Sequence, residues 1–421
     1  MRILYKIANK LFRIVKKILK LLTSRMVIIG VALLLEFCWL AGIVMQLNEK
    51  SVYINYAVTI LSLIAVLSII NNPKMNPGYK LMWAVCILAL PVTGICLYGI
   101  LGHSSVARKF RTHYDTVLLS QGGVLGEEEE TRKKLEEENI LAAGQSSYLT
   151  NYAHYPVYEN TETEYYPLGD VWFEHFIEEL KKAEHYIFME YFIISEGYLW
   201  DTVLEILKEK AAAGVDVRLI YDDFGCVTTL PYQYYKSLQQ MGIKCAAFNQ
   251  FRPVLNVILN NRDHRKIAVI DGHTAFSGGV NLADEYINEK VRFGHWKDTG
   301  FMLKGEAVWN YTVMFLRMWN AHRHTDESYE AFRPHMWHPE AFEGQFFIQP
   351  YSDSPLDDER LGENVYLNIL NRAKDYVYIF TPYLIVDHEM QTALCLAAKR
   401  GVDVRIMTPG IPDKKTIFQL T

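Results

Sequence analysis

Hydrophobic and polar positions divide the chain into zones. In residues 1–25, Ile3, Ile7, Leu11, Ile14, Ile18 and Leu22 recur at three- and four-residue steps. Lys6, Lys10, Arg13, Lys17 and Lys20 fall on another stripe. That pattern predicts a basic amphipathic helix lying on an anionic membrane surface. Its charges run through the apolar part and no cleavage pattern follows, unlike a secretory signal. Residues 26–102 then carry apolar runs at Met26–Leu47, Tyr53–Ile70 and Leu81–Leu101, with Glu36 inside the first and Pro91 inside the third. A span needs about 20 apolar residues, so these two or three segments predict a membrane anchor.

The charges around the anchor constrain its topology. The first 25 residues hold eight Lys or Arg and no acid, and Arg108, Lys109 and Arg111 follow the third run. Both clusters should stay inside, which three full crossings cannot achieve. Two crossings plus one re-entrant or interfacial segment can, with the second run or the Pro91 segment as the exception.

Residues 103–150 read as a linker. Gly126–Asn139, G-E-E-E-E-T-R-K-K-L-E-E-E-N, suits a solvated helix with acid–base pairs four apart. From Tyr165 the pattern becomes α/β: a helix over Trp172–Ala183, a strand over Tyr186–Ile194, a helix over Leu199–Ala213, and a strand over Val215–Tyr221 closed by Asp222-Asp223-Phe224-Gly225. This β-α-β spacing predicts a mainly parallel sheet covered by helices.

The unit recurs. Ala183-Glu-His-Tyr-Ile-Phe is echoed by Ala373-Lys-Asp-Tyr-Val-Tyr, and Gly214-Val-Asp-Val-Arg218 is repeated as Gly401-Val-Asp-Val-Arg405. Two copies of one fold follow: a first lobe over 151–345 and the start of a second over 346–421. A pseudo-two-fold site would lie at their interface.

The chemistry concentrates at Asn261–Asn281, N-R-D-H-R-K-I-A-V-I-D-G-H-T-A-F-S-G-G-V-N. On a strand, His264 and Lys266 would face one site. Ile267–Ile270 continues the strand, Asp271-Gly272 signals a tight turn, and Asn281 would return beside His264. Gly278 and Gly279 would allow close backbone approach. The set suits attack on phosphorus. A neutral imidazole can be the nucleophile, while an ammonium and an amide hold the non-bridging oxygens. Such a site needs no metal and no cofactor.

Among the other polar residues, Glu190 sits in an apolar run, where a carboxylate is costly without a partner. It could orient a histidine, bind Lys266, or pair with an unrelated arginine. Asp271 organises the turn more than it carries a proton. Arg262 and Arg265 could meet lipid phosphates or solvent, Asp284 and Glu285 support packing, and Asp298 opens a further strand and could position a site group. The six cysteines form no C-x-x-C pair, so neither a disulfide scaffold nor a zinc site is expected. The net charge is −5, and the acidic soluble part disfavours nucleic acid as a partner.

His264-x-Lys266-x4-Asp271 followed by Gly278-Gly279-x-Asn281 resembles the phospholipase D superfamily motif. The flanking N-R-D-H-R-K-I-A-V-I-D-G, G-G-V-N-L-A-D-E-Y and Trp296-Lys297-Asp298-Thr299 are similar to those of bacterial cardiolipin synthases. The resemblance implies a mixed α/β sheet sandwiched by helices in two repeated lobes, preceded by transmembrane helices. It implies a phosphatidyltransferase that joins two phosphatidylglycerols to cardiolipin and glycerol through a phosphatidyl-histidine. His264, Lys266 and Asp271 would be catalytic, Lys266 and Asn281 would bind phosphate, and Glu190, Gly279 and Asp298 would support them. The lobes would face the cytoplasm from a multi-pass cell-membrane anchor. A second histidine is expected near residue 451, beyond Thr421, so the chain reads as truncated and impaired alone. Pairing two chains as a homodimer is the other way to supply it. A hydrolytic phospholipase D, a DNA phosphodiesterase and a catalytically dead membrane scaffold are the competing readings.

Overall fold

The computed structural model describes residues 25–44, 50–73, 75–102, 129–250, 262–323, 328–354 and 359–414, with short pieces at 114, 116–117, 123–126 and 418–419. The basic helix expected over 1–25 lies outside them, apart from Arg25, as does Asn261.

Two compact units result. In the N-terminal unit, the apolar runs form α1 (Arg25–Val44), α2 (Lys50–Ile70), α3 (Pro77–Ala89) and α4 (Pro91–Leu101). The third run is therefore two short helices broken at Leu90. Pro91 has no N–H to continue the ladder, and it opens α4. By length and composition, one helix among the described residues, Val52–Ile70, can cross a membrane; Ile29–Ala41, Pro77–Ala89 and Pro91–Leu101 are shorter apolar stretches.

The second unit is built on a seven-stranded sheet of order β1-β7-β6-β5-β2-β3-β4. The strands are β1 (Thr161–Tyr166), β2 (Tyr186–Tyr191), β3 (Asp216–Asp222), β4 (Lys244–Phe248), β5 (Ile267–Ile270), β6 (Thr274–Gly278) and β7 (Gly300–Gly305). β2, β3 and β4 run parallel. The β2–β5, β5–β6, β6–β7 and β1–β7 pairs are antiparallel. The sheet is thus mixed, as the family resemblance implied, and the mainly parallel expectation from the β-α-β spacing holds only for one half. Short turns at 271–273 and the strand-returning loops allow antiparallel pairing that helix-length crossovers do not.

Alternation assigns the two faces. Ile187, Met189 and Tyr191 on β2, with Ala268 and Ile270 on β5, pack under α5 (Gly169–Lys182) and α6 (Tyr198–Ala212). Tyr186, Phe188, Ile267 and Val269 pack under α7 (Val308–Arg323), which is buried along most of its length. Helices on both faces explain why β2 is buried at every position.

The repeated sequence is a repeated structure. Leu361–Arg372, Tyr376–Phe380, His388–Lys399 and Asp403–Met407 follow the helix–strand–helix–strand order of α5-β2-α6-β3, and their two strands pair in parallel. Gly214 and Gly401 take matching positive φ values of 95° and 94°, which glycine adopts without strain. In each copy the arginine salt-bridges the aspartate two residues earlier, Arg218 to Asp216 and Arg405 to Asp403.

Glu129–Glu138, within the expected linker, is helical with acid–base pairs four apart. The next helix, Ile140–Ala153, is no solvated spacer. Its Gln145 accepts from Asn368 at 2.8 Å, its Tyr148 donates to Glu359 at 2.5 Å, and Leu149 is buried with Leu361 and Val365.

Asp271 holds the β5–β6 turn to the start of β2. It adopts φ 48° and Gly272 φ 74°. Its carboxylate accepts the backbone N–H groups of Glu184, His185 and Tyr186 at 2.8, 2.8 and 2.7 Å. A Cβ at Gly272 would fall 2.3 Å from the Tyr186 hydroxyl, so glycine is required there. Asp271→Ala strands those donors, and a lost buried acceptor costs about 1–3 kcal/mol. A matching drop in denaturant-unfolding stability is the expected result.

Candidate active site

His264 and Lys266 lie just before β5, in an extended stretch outside any strand, rather than on the strand expected for them. Their alternation survives, and Lys266 Nζ lies 3.1 Å from His264 Nδ1. Lys266 also donates to the His264 carbonyl at 2.6 Å. Across the hairpin, Ile267 pairs with Ser277, and the Ser277 hydroxyl donates to the Lys266 carbonyl at 2.8 Å. That register puts Gly278 and Gly279 opposite the site segment. Gly278 takes φ 142°, and its Cβ would fall 2.4 Å from the Thr299 carbonyl. A Cβ on Gly279 would meet the Asp298 carboxylate at 2.0 Å. The Gly-Gly pair is thus the space into which the next strand and Asp298 fit. β7 itself begins at Gly300, two residues after Asp298.

Asn281 reaches the same end of the sheet. Its Oδ1 accepts the Ile193 N–H at 3.0 Å, and Leu282 and Ile194 form a parallel bridge. The chain after β6 therefore runs beside the chain after β2. Asn281 is 2% exposed. Its amide carbonyl is spent on this backbone link, and its NH₂ end, the donor, also hydrogen-bonds the Tyr286 side chain.

Phe192, the first residue after β2, was not anticipated. Its ring centroid is 4.5 Å from the His264 ring and 5.4 Å from Lys266 Nζ. Gly225 accommodates it, since a Cβ there would meet the Phe192 carbonyl at 2.2 Å and its ring at 2.9 Å. Asp222 was missed as well. It is fully buried and accepts the N–H groups of Phe224, Gly225 and Asp263 at 3.0, 2.9 and 3.0 Å. Arg262 bridges to it at 3.3 Å. One signal could have found both: ligand sites in open α/β sheets gather at the carboxyl ends of parallel strands, and Phe192 follows β2 directly while Asp222 ends β3.

Two expected members are elsewhere. Glu190 faces the opposite side of the sheet, toward α7. It pairs with Arg265 at 2.5 Å, and Arg265 also meets Asp263 at 3.4 Å. It neither orients His264 nor binds Lys266. Its place in the β2–β5 register, opposite Ile267, sets it on Arg265's parity and not on that of His264. Arg265 is consequently no phosphate-facing rim residue. Asp271 lies at the far end of β5 from His264, occupied by three backbone donors. Asp284 caps α6 through the N–H groups of Tyr198 and Leu199, and Glu285 pairs with Arg292 at 2.7 Å. Among the described residues, no group of three or more His, Cys, Asp or Glu is arranged to hold a metal ion.

The electrostatics separate the two central groups. Burial of part of the His264 ring, and then the Lys266 charge, push its pKa down to about 4, although its outer edge meets solvent. Lys266 is 6% exposed. Burial lowers it to about 8, while the carboxylates of Asp263 and Asp298 pull the other way. Burial raises Asp298, opposed chiefly by the Thr299 N–H and the Trp296 side chain. At neutral pH the imidazole is thus neutral and the lysine mostly charged. A neutral imidazole carries one proton. While Lys266 donates to Nδ1, that proton sits on Nε2.

A mixed sheet sandwiched by helices, with H-x-K and G-G-x-N at one end, defines a phospholipase D-like enzyme. The sequence matches the family described as cardiolipin synthase, PLD-like domain, over residues 176–319 and 366–420, and the phospholipase D-nuclease N-terminal family over 60–103. It is 32% identical over 351 residues to a cardiolipin synthase of Halalkalibacterium halodurans, covering 82% of this chain and 68% of that protein. An uncharacterised protein of Streptococcus mutans is 44% identical over 372 residues, covering 85% of this chain and 76% of the relative. Phosphatidylserine synthase of Haemophilus influenzae aligns in structure with a TM-score of 0.43 and 13% identity, over 63% of this chain and 65% of that one. The chain belongs to the cardiolipin synthase family of the phospholipase D superfamily.

Resonances of His264 and Lys266, assigned by NMR on labelled protein, are expected to titrate near pH 4 and pH 8. A His264 midpoint at the ordinary value of about 6.5 would contradict the partly buried setting of the ring beside Lys266.

Proposed function

We propose that this protein is a membrane phosphatidyltransferase that makes cardiolipin and glycerol from two phosphatidylglycerols, with His264 as nucleophile. The observation that carries this reading is the 3.1 Å contact between Lys266 Nζ and His264 Nδ1 in a neutral-imidazole, charged-lysine pair. Family membership and the apolar crossing helix support a lipid substrate held in the plane where the enzyme is anchored.

The phosphate of the first lipid competes for the Lys266 ammonium. When Lys266 turns to the non-bridging oxygens, Nδ1 is released and takes a proton from water, while Nε2 at the solvent-facing side gives its own proton to water and is freed. That nitrogen attacks phosphorus, a P–N bond forms, and the P–O bond to the departing glycerol breaks. The glycerol oxygen takes a proton from a group other than His264. A hydroxyl of the second phosphatidylglycerol then attacks phosphorus, loses its proton to that group, and the P–N bond breaks. Lys266 and the Asn281 NH₂ offset charge building on the equatorial oxygens. Asp298 supports Lys266 through its charge. In this mechanism Asp271 and Glu190 act at a distance, by holding the hairpin and the 262–266 segment in place. The lobes are assigned to the cytoplasmic face of a multi-pass anchor, because basic clusters flank the anchor on both sides.

Radiolabelled phosphatidylglycerol tests the reading by product. Diphosphatidylglycerol plus glycerol is expected; phosphatidic acid alone would instead mark a hydrolase. His264→Ala is expected to abolish the acid-quenched, lipid-labelled protein adduct, and Lys266→Met to cut turnover about 100-fold or more. The free-enzyme pH profile of kcat/KM should rise through the His264 value near 4, as the imidazole loses its proton. It should fall above the Lys266 value near 8, as the ammonium does. A profile still limited near pH 6.5 would mean another group is the nucleophile.

A further inference from the structure

We infer that residues Pro77–Leu101 enter one leaflet of the bilayer, turn at Leu90–Pro91, and leave on the face they entered. The rings of Trp83 and Tyr98 meet edge to face, with centroids 5.3 Å apart and planes at 71°. On one continuous helix, fifteen positions would separate them by about 22 Å. α3 and α4 therefore lie side by side. Gly94 permits the close approach: a Cβ there would fall 2.6 Å from the Cys86 carbonyl and 2.7 Å from the Ile87 Cα.

Neither arm can cross alone. The 13 residues of α3 and the 11 of α4 reach about 20 and 17 Å, against a hydrocarbon thickness of about 30 Å. The outer surface of α3 suits acyl chains, with Leu81, Val85 and Leu88 each more than half exposed. A turn inside lipid leaves backbone donors that no water can satisfy. Pro91 removes one such donor, and Gly94 donates to the Leu90 carbonyl. The Thr93 N–H donates to Glu36 Oε2 at 2.7 Å.

Glu36 is thereby explained. It is the one acid of the first apolar run and is 3% exposed. A carboxylate in such surroundings is expensive without a partner, and the first turn of α4 supplies the Thr93 N–H to one of its oxygens and the positive end of a helix dipole. Glu36 pins the tip of the hairpin to α1. At the base, Lys80 donates to the Ile70 carbonyl at 2.9 Å, tying the end of α2 to the first turn of α3. In this arrangement α1, a helix of 20 residues, crosses as α2 does; with the hairpin returning, the chain then enters and leaves the anchor on one side, as the basic residues of the sequence at 1–25 and 108–111 require. The positive-inside bias is then satisfied at both.

The full-length chain in native membrane vesicles tests this, with its own cysteines replaced by serine. Single cysteines at Asn71 and Gly126 are expected to react with an impermeant maleimide from the same side, and one at Glu49 from the opposite side. Asn71→Cys and Gly126→Cys reacting from opposite sides would overturn the hairpin. For the pin, Thr93→Cys should stay unlabelled in the otherwise native chain and in Glu36→Gln, whose amide oxygen still accepts. Labelling should rise several-fold in Glu36→Leu. Equal labelling in all three would remove Glu36 from that role. None of these readouts depends on transferase activity.

Discussion

Side-chain alternation along residues 262–270 is the constraint on which the site depends. The β5–β6 hairpin fixes the register, with Ile267 against Ser277 and Ile270 against Thr274. From that register, Lys266 inherits the side of Ala268 and Ile270, and Arg265 the side of Ile267 and Val269. His264 and Lys266 then converge, while Arg265 is turned to Glu190 on the other face. A slip of one residue would exchange the two sets. It would bury the imidazole beneath α7 and present the guanidinium where the imidazole now sits. The tie between Asp271 and the start of β2 prevents that slip, although it lies at the far end of the strand from the chemistry.

Buried charge is arranged in opposing pairs about that segment. Asp222, at the end of β3, takes Arg262 and the Asp263 N–H. Glu190, at the end of β2, takes Arg265. The 262–266 stretch lies outside the strands, so these side-chain contacts hold much of it in place. Such pairs are weak evidence for stability, since desolvation offsets much of the attraction. Their value here is conformational, because removing either partner would leave a charge uncompensated in the core. Lys266 differs. It has no ion-pair partner at contact distance among the described residues. Its charge is moderated by Asp263 and Asp298 from farther off, which leaves the ammonium able to turn toward an anion.

The second copy of the helix–strand–helix–strand unit extends the same logic. Phe380 lies 6.0 Å from Lys297 Nζ, and Gly294 approaches the Ile411 side chain. The end of the repeated strand pair therefore meets the loop that leads to Asp298.

Much of this was legible in the residues. The apolar runs, the α/β alternation and the G-V-D-V-R repeat are local patterns with periods that need no tertiary information. His264 and Lys266 could be grouped from spacing alone, because a two-residue period puts them on one side, and the tight turn brings the glycine pair and Asn281 back to the same end of the sheet. Tertiary structure decided the remainder. It made the sheet mixed, since pairing partners are chosen by long-range packing. It sent Glu190 to Arg265, gave Asp271 to backbone donors, brought Phe192 against the imidazole, and folded the Pro91 segment back on itself around Glu36. A buried polar side chain announces in sequence that it needs a partner. Which group answers is set by residues far away along the chain, and only the packed fold brings them within reach.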